Sequence, residues 1–128
     1  MKKILVVDDN PDLLELLRIS FEEAKFAVAM ATNGPDALKE AQSLPDLIVL
    51  DLVLPEMDGF TVCETLKKQK ATASIPINMM TGLGSPLNRL AGFECGASDY
   101  VTKPFTANEL VERARTLLDR SARSAKPS

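Results

Sequence analysis

Apolar residues along this chain follow two alternating rhythms. Unbroken runs such as Ile4-Leu-Val-Val7 and Leu47-Ile-Val-Leu50 read as short strands buried on both faces. Between them the apolar spacing widens to three and four residues, the repeat of an amphipathic helix. Asn10-Pro11 caps and opens the first such helix, which carries Leu13, Leu14, Leu17 and Phe21 and runs to about Lys25. Phe26–Met30 is a short second strand, placed near an edge. Asn33-Gly34-Pro35 opens a helix with Ala37, Leu38 and Ala41 inward, and Pro45 ends it. The strand from Leu47 ends at Asp51. A third helix follows on Phe60, Cys63 and Leu66, with Lys67, Lys68 and Lys70 read as its solvated face.

The pattern repeats in the second half. Residues 76–80 form a fourth strand that ends at Thr81-Gly82, and Ser85-Pro86 opens a helix with Leu87, Leu90 and Phe93 that Gly96 stops. Tyr100-Val101 lies in a fifth strand. Thr106-Ala-Asn-Glu109 is a capping box, and Leu110, Val111, Ala114, Leu117 and Leu118 form the last apolar stripe. From about Ser121 the periodicity is gone, which predicts one domain over 1–120 and a flexible tail or the start of a linker over 121–128. Five strands alternating with helices predict an α/β fold, a parallel sheet covered on both faces. Right-handed crossovers leave few topologies, and the flavodoxin-like (βα)5 sandwich of strand order 2-1-3-4-5 is the one expected here.

Composition narrows the function classes. At 128 residues the chain suits a single core, and a formal charge of −3 gives no global basic field to attract nucleic acid. No apolar run approaches the ~20 residues that span a bilayer, and the N-terminal run ends in two acids instead of a signal-peptide cleavage site, so a cytoplasmic protein is expected. Cys63 and Cys95 sit in apolar patterns and are read as reduced core residues, not as a disulfide or metal pair. The chain has no histidine, which excludes Ser-His-Asp and Cys-His catalysis and His metal ligation.

The chemistry lies at the strand ends, where open α/β sheets place their sites. Strand order 2-1-3-4-5 sets Asp8 and Asp9 beside Asp51. Carboxylates this close repel, and a hard cation that prefers oxygen ligands relieves them; Mg²⁺ fits, since it takes few carboxylates and couples to phosphate. The fourth strand adds the Thr81 hydroxyl and the fifth the Lys103 ammonium. Acids for a metal, a hydroxyl donor and a cation are the parts that phosphoryl transfer needs. No Ser or Cys is placed to attack, so the nucleophile is a carboxylate, Asp51.

On the segments Ile4-Leu-Val-Val-Asp-Asp9, Asp51-Leu-Val-Leu-Pro-Glu-Met-Asp-Gly59, Met80-Thr-Gly82 and Asp99-Tyr-Val-Thr-Lys-Pro-Phe105, the chain resembles the receiver domain of two-component response regulators over residues 2 to about 119. The resemblance implies that Asp51 accepts a phosphoryl group from the phospho-histidine of a sensor histidine kinase or histidine phosphotransfer protein. It implies Mg²⁺ held directly by Asp9 and Asp51, through water by Asp8, and by the backbone carbonyl of Val53. Lys103 would pair with the phosphoryl oxygens, with a cis bond to Pro104. Thr81 would hydrogen-bond the phosphate, and Tyr100 would turn inward. The surface of the fourth helix, fifth strand and fifth helix would then change toward an output domain or protein, or toward a homodimer. The domain itself would bind neither nucleic acid nor membrane, and would catalyse only its own phosphorylation and slow dephosphorylation.

Three departures stand out. Asn78 occupies a strand position where the family usually carries an aliphatic residue. Gly82 replaces the commoner Ala. Val53 and Leu83, on the route for hydrolytic water, are both apolar, which predicts slow loss of the phosphoryl group. A phosphatase of the haloacid dehalogenase type would need an acid at Val53. The alternative is a receiver-like module that docks to partners without phosphorylation.

Overall fold

The structure, a computed structural model, describes residues 1–82, 91 and 93–125, with side chains to residue 120. Five strands form: β1 (Lys3–Val7), β2 (Ala27–Ala31), β3 (Leu47–Asp51), β4 (Ile77–Thr81) and β5 (Asp99–Thr102). They pair in parallel in the order β2-β1-β3-β4-β5, so the expected fold is the one observed and β2 is an edge. Helices α1 (Pro11–Glu23), α2 (Gly34–Glu40), α3 (Gly59–Lys68) and the C-terminal helix (Ala107–Ala125) cover the two faces.

Alternation along the strands divides the core. Leu5, Val7, Ile48, Leu50, Ile77, Met79 and Tyr100 point to one face, against Ala37 of α2 and Val62, Cys63 and Leu66 of α3. Ile4, Val6, Leu47, Val49, Met80 and Val101 point to the other, against Leu14, Leu17 and Phe21 of α1 and Leu110, Ala114 and Leu117 of the C-terminal helix. Every residue of β3 and β4 is buried, Asp51, Asn78 and Thr81 among them, as central strands of a parallel sheet covered on both faces.

The caps read from sequence form. The Asn10 side chain accepts from the N–H groups of Asp12 and Leu13, with Pro11 in the first turn. Asn33 accepts from the Asp36 N–H at 2.8 Å, and Thr106 Oγ1 from the Glu109 N–H at 3.0 Å.

Some boundaries differ. α2 does not reach Pro45: it stops at Glu40 and tightens into a 3₁₀ turn over Ala41–Ser43, and Leu44 turns left-handed with φ of 56°. The C-terminal helix continues to Ala125, past Ser121, because backbone bonding does not need the apolar stripe that ends at Leu118. Lys67 is not on a solvated face. Its ammonium turns under the chain and donates to the carbonyls of Ala73 and Ile75 at 3.1 and 2.6 Å, satisfying acceptors in the loop that enters β4. Gly96 stands at φ of 107°, the left-handed stop expected of it. The helix opening at Ser85-Pro86, with Leu83, Leu87 and Leu90, falls outside the described residues, while Phe93 is largely exposed.

Candidate functional site

The carboxyl ends of β1 and β3 are adjacent because Val7 pairs with Leu50. The next residues along, Asp8 and Asp51, therefore meet at the rim of the sheet. Both are buried, Asp8 at 0% exposure and Asp51 at 4%, while Asp9 is exposed. One oxygen from each of the three lies within 4.8 Å of the others.

Each acid is held in place. Asp8 Oδ1 accepts the N–H of Asn10 at 2.8 Å, so the residue that caps α1 also orients the acid beside it. Asp51 Oδ1 accepts the N–H of Val53 at 3.3 Å. Behind it, the Gly59 N–H donates to the Leu52 carbonyl at 2.7 Å, pinning the start of α3 against the end of β3. A Cβ at Gly59 would stand 2.4 Å from the Asp51 carbonyl oxygen and 2.7 Å from Leu52 Cα, so only glycine fits. The sequence placed Gly59 only at the end of the segment that follows Asp51; its close approach to the site strand needed the fold.

From β5, Lys103 reaches over the acids. Its Nζ lies 3.1 Å from Asp8 Oδ2 and 3.5 Å from Asp51 Oδ2. The chain returns here because the Lys103 N–H donates to the Thr81 carbonyl at 2.7 Å, and the Lys103-Pro104 bond is cis, as expected. Thr81 is fully buried at the end of β4, one residue past the partner of Asp51 in the ladder. Tyr100 is also buried, facing the α3 side with Met79. The Val53 side chain is more than half exposed at the mouth of the site.

Burial, and then the neighbouring Asp8 carboxylate, push the Asp51 carboxyl up to about 6; the Lys103 ammonium and the Val53 N–H act the other way without cancelling them. Three acids and one lysine leave a formal local charge of −2, held by oxygen donors at the rim of the sheet. This donor set fits a hard divalent cation with open coordination positions. Among the described residues it is the only group of three or more such ligands. The site thus offers two fixed, buried carboxylates, a cation and a hydroxyl-bearing strand end, and no Ser or Cys nucleophile among its described residues.

The family model described as the response regulator receiver domain matches residues 4–115. The DNA-binding dual master transcriptional regulator RpaA of Synechocystis is 45% identical over 124 residues, which cover 96% of this chain and 52% of that protein. The alkaline phosphatase synthesis transcriptional regulatory protein PhoP of Bacillus subtilis is 43% identical over 128 residues, covering 99% of this chain and 52% of that protein. The chain thus spans about half the length of these curated relatives. Among solved structures, a Francisella response regulator receiver domain superposes with a TM-score of 0.88 at 32% identity, covering 94% of this chain and 99% of that one. A CheY-like receiver domain protein from Methanospirillum hungatei gives 0.92 at 26% identity, covering 98% and 99%.

Proposed function

This chain belongs to the response regulator receiver domain family, and from that premise we propose that it is a phosphorylation-driven switch with Asp51 as the phosphoryl acceptor. The observation that carries the reading is the meeting of Asp8, Asp9 and Asp51 oxygens within 4.8 Å under the Lys103 ammonium.

The donor is the phospho-histidine of a sensor kinase or histidine phosphotransfer protein, as receiver-family membership implies, and no histidine within these 128 residues supplies it. An Asp51 carboxylate oxygen attacks phosphorus, the P–N bond breaks, and the histidine nitrogen leaves with the bonding pair. Asp51 is suited to this because its rigid strand presents it at one place and burial strips it of water. Asp9 and Asp51 would hold Mg²⁺ directly, Asp8 through water, and Val53 through its carbonyl; when bound, the ion supplies charge neutralisation to the carboxylates and the phosphoryl oxygens. Lys103 moves its pairing from the acids to the phosphoryl group. Thr81 donates its hydroxyl to the new phosphate.

The added charge of about −1.5 to −2 then biases the packing around Tyr100 and the surface that β5 forms with the C-terminal helix. The domain, expected from sequence to end at residue 120, includes its C-terminal helix to Ala125 and acts in the cytoplasm. Its output passes to a downstream domain or protein, or to a second copy of this chain. Among the described residues no helix is long and apolar enough to cross a membrane.

Incubation with a phospho-histidine donor and Mg²⁺, followed by peptide mapping, tests the acceptor. The expected result is a hydroxylamine-labile acyl phosphate on the Asp51 peptide. A phosphate on any other residue would contradict the assignment.

A further inference from the structure

Cys63 and Cys95 are 32 residues apart in sequence, yet the fold brings them into contact. The Cys63 thiol, fully buried on α3, donates to the Cys95 carbonyl oxygen at 3.4 Å. Cys95 is only part-buried, just before the left-handed Gly96 that leads into β5. It borders a surface cleft of about 600 Å³ between Phe60, Glu64 and Lys68 of α3 and Ala91 and Glu94. The methylene stem of Lys67 packs under Gly96. One thiol therefore faces solvent through the cleft, and its partner stands directly behind it with no other task in the site described above.

We propose that Cys63 and Cys95 form a hydroperoxide-sensing dithiol, Cys95 attacking and Cys63 resolving, that closes an intramolecular disulfide between α3 and the turn before β5. Cys95 borders the cleft while Cys63 is fully buried, and hydrogen bonding with Cys95 and then burial push the Cys63 thiol up, so the roles are not interchangeable. In the first step the Cys95 thiolate forms an S–O bond to the hydroperoxide, the O–O bond breaks, and the alcohol or water leaves after taking a proton. Cys95 is then a sulfenic acid. In the second, Cys63 sulfur attacks Cys95 sulfur, the S–O bond breaks, and hydroxide leaves as water with the Cys63 proton. The sum is two thiols and one hydroperoxide giving one disulfide, one alcohol or water, and one water. The hydroperoxide is the oxidant, reduced by the two electrons that the sulfurs give up. The closed bond would tie α3, which abuts Asp51 at Gly59, to the entrance of the strand carrying Tyr100.

The test is on the reduced chain treated with one equivalent of hydrogen peroxide, alkylated and weighed intact. Expected are a loss of two hydrogens, no alkylation, and a Cys63–Cys95 cross-linked peptide. C63S should halt at a Cys95 sulfenic acid that dimedone captures, and C95S should leave Cys63 unoxidised. Two alkylatable thiols after treatment, or disulfides only between separate copies, would overturn the proposal. The wild-type peptide map decides this even if C63S does not fold. The readout follows sulfur alone, so it stands apart from the phosphoryl-acceptor reading.

Discussion

The Asp51 carboxylate is positioned by burying charge that the protein would otherwise leave in water. Its carboxyl titrates near 6 against an ordinary 3.8, so the folded chain holds this proton more tightly than the unfolded one. Ionising it therefore costs stability: the penalty is absent below about pH 4, grows through pH 6, and is full above it. By linkage it reaches up to about 3 kcal/mol. Without metal, D51N should melt higher than wild type at pH 7, with the gap closing toward pH 4 and narrowing at pH 7 when Mg²⁺ is added. Thermal unfolding at the two pH values measures this, and an unchanged or lower melting point at pH 7 would count against it.

Asn78 is the second residue held at a cost. It is fully buried in β4, and both polar atoms of its amide lack a hydrogen-bond partner among the described residues. An unsatisfied buried polar group costs about 1–3 kcal/mol, so Asn78→Val should raise the melting temperature by several degrees and leave phosphorylation intact. Its burial was legible in the apolar context of the strand; its lack of partners was not, because that depends on what the neighbouring Val49 and Asp99 positions offer. Val53 bears on lifetime. Exposed and apolar beside Asp51, it cannot orient water, so Val53→Asn should shorten the phospho-form's half-life severalfold in a decay assay; an unchanged half-life would oppose the account.

Among the elements, the strands and caps were read closely because each has a local signal: an apolar run, or an Asn or Thr with a free N–H two or three residues on. Helix ends and side-chain destinations were less legible. α2 gives way to a 3₁₀ turn before Pro45, and Lys67 abandons the outer face because unpaired loop carbonyls within its reach form a better environment than solvent. The junction of β3 and α3 shows the same dependence on tertiary contact. Since a Cβ at Gly59 meets backbone atoms that cannot move aside, Gly59→Ala should lower stability by about 1–3 kcal/mol in denaturant titration and weaken Mg²⁺ binding by displacing Asp51. Wild-type stability in that variant would contradict the role given to this contact.

At the scale of the molecule, function follows from topology. No single segment holds a site; Asp8, Asp9, Asp51, Thr81 and Lys103 come from four strand ends, and the parallel order β2-β1-β3-β4-β5 is what gathers them. The order came from alternation of strands and helices together with the family resemblance, and with it the acid cluster followed directly. The contact between Cys63 and Cys95 did not, because it is made between a helix and a turn on one flank of the sheet and leaves no periodic trace. The central claim is that this gathering makes Asp51 a metal-dependent phosphoryl acceptor. Intact mass after incubation with acetyl phosphate and Mg²⁺, beside D51N and an EDTA control, tests it most directly. The account predicts a gain of one phosphoryl group in wild type and none in either control; no gain in wild type, or a gain that survives D51N, would contradict it.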